Sequence, residues 1–246
     1  MDHRDAAAGR ICVTLDVDWA RDEIVQTVLE MLQEAGVKAT FFATHRSELL
    51  MGLEDERYEV GLHPNFNQSR GDFVGPTEAL KALYPRAAGG RSHSLATSYP
   101  ILMGYMASGL VYESNLFLPM HEHLRPASRV EGMVSIPLYW YDDTYFSRNS
   151  SFGLEDLRLD TPGLKVLGFH PIHVFMNTSS AAHYASYKEH YQNPAELQKH
   201  VNRRSPGAGT MFRSLLDHLS GGRVPNYTLF EIYQEYTAGD GGRANQ

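Results

Sequence analysis

Asp16 and Asp18 lie two residues apart at the end of an apolar run that opens Ile11, Cys12, Val13. Such a run suits a strand buried on both faces, and side chains two apart on a strand point the same way. Two carboxylates delivered to one spot resist joint ionisation, so they ask for a cation, or for a metal and a cation together. The plainer alternative is two acids in a solvated strand-to-helix turn, with one capping the helix that follows. His63, Arg91, His93 and His170 widen the set. One carboxylate with two neutral imidazoles makes a zinc ligand set with a fourth position left for water, and Asp18, His63 and His93 fit that description. Water on such a metal has a pKa of about 7 and can attack a carbonyl near neutral pH. Asp16 would then take the water's proton, Arg91 would hold Asp16 ionised and oriented, and His170 would protonate a leaving nitrogen or oxygen. Each residue also has a structural reading. His63 precedes Pro64 and could simply end its strand; His93 could be a core histidine bonded to backbone; His170 and His173 could be buried partners of Asp142 or Asp143. Only joint placement separates the two readings.

The elements that must position these groups follow from periodicity. Residues 21–35 carry Ile24, Val25, Val28, Leu29, Leu32 and Ala35 at helical spacing, with Gly36 as a stop. A strand over 38–44 (KATFFAT) follows, and strand–helix–strand implies a parallel pair. The alternation continues with a strand over 58–63 ending in His63 and a helix over 77–83. A strand over 89–94 (GGRSHS) places Arg91 and His93 on one side. A helix over 96–108 has Pro100 in its first turns, and Gly109 stops it before a strand over 110–117. Residues 118–130 read as loop, then strands over 133–140 and 164–170, the latter ending in His170. The stretch 178–209 is long, polar and histidine-bearing, with a helix around 194–201, and is a candidate lid. A helix over 211–219 ends at Gly221-Gly222. Thr228 and Glu231 form a capping box for a last helix through Tyr236, and a Gly-rich, frayed tail begins at Ala238. Six or seven such units imply a parallel sheet, closed or open, whose sites form at the carboxyl ends of the strands. All six chemically capable residues fall at those ends. The expectation is one α/β domain over 1–246, with its core over about 9–236.

Composition narrows the function classes. The chain has 246 residues, 42% of them hydrophobic and 21% charged, as expected of a soluble globular protein. Its 22 basic and 29 acidic residues give a net charge of -7, and no basic stripe appears, which argues against nucleic acid or an anionic membrane surface as partner. The single cysteine, Cys12, excludes an internal disulfide and falls in a core strand. The N-terminal stretch is charged, without an apolar signal core or an 18-residue apolar span, so the expected location is cytoplasmic.

These motifs resemble the polysaccharide deacetylase family (NodB-homology, carbohydrate esterase family four) over roughly the whole chain. That family opens with a T-F-D-D strand, and Thr14-Leu15-Asp16-Val17-Asp18 resembles it with one residue inserted. By that resemblance Asp16 is the catalytic base and Asp18 a metal ligand. Glu59-Val60-Gly61-Leu62-His63 matches the first half of the second motif, but the second histidine, four residues on, is replaced by Asn67. Arg91 matches the arginine that pairs with the base, and Val166-Leu167-Gly168-Phe169-His170 the strand that ends in the catalytic acid. Asparagine is a poor zinc ligand. Either His93 completes the set, which its shared face with Arg91 favours, or metal affinity is reduced, or the site is metal-free. LHPNF, GRSHS and FHPIHVFMNT most resemble the WbmS-like branch associated with O-antigen and other surface-polysaccharide loci. The resemblance implies a distorted (β/α) barrel of seven strands. It also implies a divalent metal, zinc by preference, and removal of an acetyl group from an N-acetylated sugar, nucleotide-linked or lipid-linked in the absence of a signal peptide. Tyr139, Trp140 and Tyr141 could stack on that sugar or belong to the core. Two other outcomes stay open: a metal-independent amidohydrolase of another carbon–nitrogen bond, and a degenerate, non-enzymatic sugar-binding barrel.

Overall fold

The computed structural model describes residues 9–67, 69–129, 132–146, 151–222 and 224–240; the charged N-terminal stretch and the last residues of the tail lie outside them. In chain order the first elements are β1 (Ile11–Asp16), α1 (Asp22–Ala35), β2 (Ala39–Ala43), α2 (Glu48–Met51), β3 (Tyr58–Leu62), α3 (Gly75–Leu83), β4 (Gly89–Gly90), α4 (Tyr99–Ala107) and β5 (Tyr112–Glu113). Then come β6 (Ala127–Ser128), β7 (Val134–Ser135), β8 (Trp140–Tyr141), α5 (Asp142–Tyr145), β9 (Lys165–Phe169) and α6 (Pro171–Met176). The last helices are α7 (Ala181–Tyr187), α8 (Pro194–Leu197), α9 (Ala208–Leu219) and α10 (Leu229–Asp240).

One sheet runs in the order β6-β7-β5-β4-β3-β2-β1-β9-β8. All its pairs are parallel except β6–β7. Among the described residues no pairing joins β6 to β8, so the sheet curls into a half-barrel and stays open. β1 lies between β2 and β9 with all six residues buried, which is why it is apolar at every position but Thr14 and Asp16. The α1 stripe of Ile24, Val25, Val28, Leu29 and Leu32 packs over it, and Gly36 ends the helix at φ 66°, a conformation that suits glycine. The capping box closes as read: Thr228 N donates to Glu231 Oε2 at 2.9 Å and Glu231 N to Thr228 Oγ1 at 3.2 Å. The helix it starts continues to Asp240, past Tyr236. No described helix is long and apolar enough to cross a membrane.

Several expected elements are corrected. The sheet has nine short strands where seven were expected. The stretch 89–94 contributes only Gly89–Gly90, because Ser94 and Leu95 turn into positive φ (58° and 53°) within a 3-10 turn that starts at His93. The stretch 133–140 splits into β7 and β8 around Pro137, which has no N–H to donate to a ladder. Residues 118–130, expected as loop, include edge strand β6, and 178–209 folds into α7, α8 and intervening 3-10 turns. Asp18 is not on the strand at all. β1 ends at Asp16, and Asp18 and Trp19 follow in left-handed conformations (φ 44° and 59°). A turn, not strand alternation, carries the second acid.

The sheet also makes room for a ring that matters to the site. A Cβ at Gly168, in β9, would lie 2.4 Å from Tyr141 Cδ2, so only glycine lets the Tyr141 ring cross the strand there. Gly168→Ala is therefore expected to lower stability by about 1–3 kcal/mol through overpacking, measured as a shift of the urea midpoint at constant slope.

Candidate active site

At the C-terminal end of β1, Asp16 has no exposed surface and pairs with an equally buried Arg91 from the residue after β4. Four of the five guanidinium N–H donors are spent on named partners. Nη1 donates to Asp16 Oδ1 at 2.9 Å and Thr14 Oγ1 at 2.8 Å, Nε to the Ser114 carbonyl at 3.0 Å, and Nη2 to Ser114 Oγ at 3.0 Å. Its plane lies over the Phe42 ring, 4.5 Å from the centroid. The other Asp16 oxygen accepts from Tyr141 Oη at 2.6 Å, and that hydroxyl is also 3.1 Å from His170 Nε2. Both Asp16 oxygens are thus engaged, and Tyr141 stands between Asp16 and the open part of the site.

Asp18 meets the histidines. Trp19 N donates to Thr44 Oγ1 at 2.9 Å, which pins the left-handed turn to the end of β2. Asp18 Oδ1 lies 3.1 Å from His63 Nε2 and 3.0 Å from His93 Nδ1, and its Oδ2 lies 3.4 Å from His170 Nε2. Burial works to raise the Asp18 carboxyl, but the three imidazoles outweigh it and hold the group far below the usual carboxylate range. His93 is shifted up, chiefly by its hydrogen bond to Asp18. His63 is 1% exposed, yet among the described residues neither ring nitrogen has a hydrogen-bond partner, although Nε2 lies 3.1 Å from Asp18 Oδ1. An orphaned buried imidazole is costly unless something other than a proton occupies its lone pair. The three residues offer ligand atoms within 4.8 Å of one another. Donors on a tetrahedral zinc at ordinary bond lengths sit about 3.3 Å apart, close to the separations here. The residues fit a divalent cation. Asn67 takes no part: it is exposed, with its N–H donated to Asn65 Oδ1 at 2.9 Å.

His170 follows β9 and caps α6. Asp142 clamps it twice, with Oδ1 2.7 Å from Nδ1 and Oδ2 accepting from the His170 backbone N–H at 2.8 Å. Burial opposes charge on this ring, but Asp143, Asp142 and Asp18 together push it well above the usual histidine value. Nδ1 is taken, so Nε2 faces the site as a donor. His173, one turn on, contacts Asp143 Oδ1 at 2.9 Å through Nε2, with Tyr187 Oη 3.0 Å from Nδ1. His170 and His173 are thus buried partners of Asp142 and Asp143, and His170 faces the site as well.

A cavity of 430 Å³ opens over these groups, lined by Asp18, Trp19, His93, Asp143, His170 and His173 with Tyr184, Lys188, Tyr191 and Gln192 from the 178–209 stretch. A second, of 280 Å³, reaches Tyr141. A further cavity, of 610 Å³, touches none of the six candidate residues. Tyr139 and Trp140 are core residues, 0% and 2% exposed. The aromatic side chain at the mouth is Trp19, 37% exposed and edge-on to His93 at 5.0 Å. Tyr141, Trp19, Asp142 and Asp143 were not singled out as site residues by spacing; the signal for two of them was adjacency, Trp19 to the second acid and Asp142 to a strand end.

Arg91 carries the fold as well as the site. Arg91→Met leaves a buried carboxylate unpaired and is expected to cost about 3–5 kcal/mol, whereas Asp16→Asn combined with Arg91→Met should lose clearly less than the sum of the singles in urea unfolding.

No curated protein sequence matches the chain. A solved structure from Bordetella bronchiseptica, described as a polysaccharide deacetylase involved in O-antigen biosynthesis (WbmS), is 34% identical with a TM-score of 0.79, covering 86% of this chain and 91% of its own. A polysaccharide deacetylase from Mycobacterium smegmatis at 17% identity covers 98% of this chain and 94% of its own, with a TM-score of 0.63. A carbohydrate esterase family four pseudoenzyme from Bacillus anthracis, BA3943, is 14% identical with a TM-score of 0.51 over 94% of this chain and 66% of its own. The last two share the fold alone. The WbmS-like polysaccharide deacetylase family matches residues 13–188, from within the buried strand that ends at Asp16 to beyond His170. With that span and the Bordetella relative agreeing, the chain belongs to the WbmS-like polysaccharide deacetylases, a branch of the carbohydrate esterase family four hydrolases of carbon–nitrogen bonds.

Proposed function

We propose that this protein removes the acetyl group from an N-acetylated sugar during O-antigen-type surface polysaccharide synthesis, on a nucleotide-linked or lipid-linked substrate, with a divalent cation held by Asp18, His63 and His93. The observation that carries the reading is the convergence of two imidazoles on one Asp18 oxygen, with His63 making no hydrogen bond among the described residues. Two nitrogens and a carboxylate favour zinc over magnesium or calcium. When bound, the cation supplies Lewis-acid polarisation of the acetyl carbonyl and lowers the pKa of water to about 7.

The chain's own groups handle the protons. Asp16, paired with Arg91, is the base. Because Tyr141 covers it, the proton reaches it through that hydroxyl, which accepts from the attacking water as it passes its own proton to Asp16 Oδ2, 2.6 Å away. His170 holds a proton on Nε2, since Asp142 occupies Nδ1 and the surrounding carboxylates favour the charged ring. It delivers that proton to the departing amine. Trp19 offers its indole to the sugar ring at the cavity mouth, the part first considered for Tyr139–Tyr141. The 178–209 stretch serves as the lid, with Tyr184, Lys188, Tyr191 and Gln192 on its inner side.

Acetate release from nucleotide-linked N-acetyl sugars, measured with metal content on the same samples, tests the roles. Asp16→Asn and Tyr141→Phe should each lower kcat by about 10²–10⁴-fold with metal content unchanged. His63→Ala should lose both metal and turnover. Full turnover after dialysis against a chelator would point instead to a metal-independent amidohydrolase, and an undiminished rate in Asp16→Asn would remove the base assignment.

A further inference from the structure

A second cluster of metal-type donors lies in the 178–209 stretch, away from the six residues discussed so far. α8 runs directly into the 3-10 turn Gln198–His200, so Glu196 and His200 are four residues apart on one face. His190 ends the preceding turn, Lys188–His190, and its ring stacks on that of His200 with centroids 5.2 Å apart and 26° between planes. The three side chains present ligand atoms within 4.8 Å of one another. Glu196 Oε2 also meets Lys199 Nζ at 2.6 Å, so the carboxylate is held beside the two rings. Two imidazoles and a carboxylate with water in reach form a borderline-soft donor set that suits zinc.

We propose that His190, Glu196 and His200 form a second, structural divalent-cation site of the zinc class, which staples the 178–209 stretch along the rim of the catalytic cavity. The need for a staple is physical. The elements that carry the three donors are three or four residues long, too short to hold themselves by helix formation. Local bonds already preset the turn: Asn193 N donates to the His190 carbonyl at 2.7 Å, and the Asn193 side chain caps Glu196 N at 3.2 Å. The consequence reaches the active site, because Tyr191 and Gln192 follow His190 directly and both line the 430 Å³ cavity. Gln192 Nε2 also donates to the Trp19 carbonyl at 2.9 Å, on the same turn that holds Asp18. A cation at His190 would thus set one wall of the cavity without touching substrate. This site does not depend on the function proposed above.

The test is a zinc count on the full-length protein, equilibrated with zinc chloride, desalted and measured by atomic emission. Wild type should retain two zinc ions per chain, and His190→Ala/His200→Ala one. His63→Ala, or His93→Ala if the former does not fold, should also retain one. Zinc should raise the melting midpoint of His63→Ala in a concentration-dependent way, and the same addition should leave His63→Ala/His190→Ala/His200→Ala unmoved. Equal counts in wild type and His190→Ala/His200→Ala would overturn the proposal. A single zinc in wild type that disappears in His190→Ala/His200→Ala would support it while removing the Asp18 centre, so the two assignments fail separately.

Discussion

The Asp16–Arg91 pair is the constraint from which the rest of the site follows. A carboxylate with no solvent contact ends the fully buried strand β1, with a second carboxylate two residues on. Burial of the first is tolerable only if a cation meets it with further donors for every remaining lone pair. Arg91 supplies the cation with a planar fork that reaches Asp16, Thr14 and Ser114 at once, its flat face lies on Phe42, and Tyr141 donates to the second Asp16 oxygen. A lysine offers one point charge and no such fork. The pair seals half of the strand end, and the charge of Asp18 is left for the histidines on the open side.

That partition gives two chemically similar acids different environments. Asp16 is dry, with both oxygens engaged by Arg91 and Tyr141. Asp18 looks into the cavity and is surrounded by imidazoles from the ends of three separate strands. Tyr141 joins the halves, with one hydroxyl in reach of both Asp16 and His170. Its ring lies across Gly168, so a missing Cβ on β9 is part of how the proposed base and acid come into communication. The short strands serve the same end, since β1, β3, β4, β8 and β9 stop at or just before Asp16, His63, Arg91, Asp142 and His170, and β2 and β5 just before Thr44 and Ser114, which hold Trp19 and Arg91.

Residue chemistry and strand ends were legible in the sequence because they follow from alternation, apolar runs and glycine stops. Periodicity predicted α1, β2, β3 and β9 to within a residue or so at each end, and the capping box at Thr228 by its spacing. What escaped was everything set by non-repeating backbone. Asp18 and Trp19 sit at positive φ without being glycine, and Ser94 and Leu95 do likewise after His93. A period-two reading therefore placed Asp18 and His93 on strands that had already ended. The residues that meet around Asp18 were named for a geometric reason that does not hold. Tyr141 escaped differently: it is 6% exposed, and no pattern distinguishes a buried ring whose hydroxyl works from one that only packs.

The replacement at Asn67 makes sense in the same terms. A histidine four residues after His63 would have to reach back from the loop beyond β3, and here that loop turns Asn67 outward to solvent. β4 lies beside β3 in parallel register, Leu62 opposite Gly90, with strands about 4.8 Å apart. The chain just beyond Gly90 is therefore close enough for another donor to approach His63. Arg91 comes first and turns under the sheet end to Asp16. His93, two residues on and already in the 3-10 turn, comes over the top to the same Asp18 oxygen as His63. In the proposed cation site, a donor that the loop after β3 does not offer is thus supplied by the chain that follows β4, and the sheet register brings the two segments side by side.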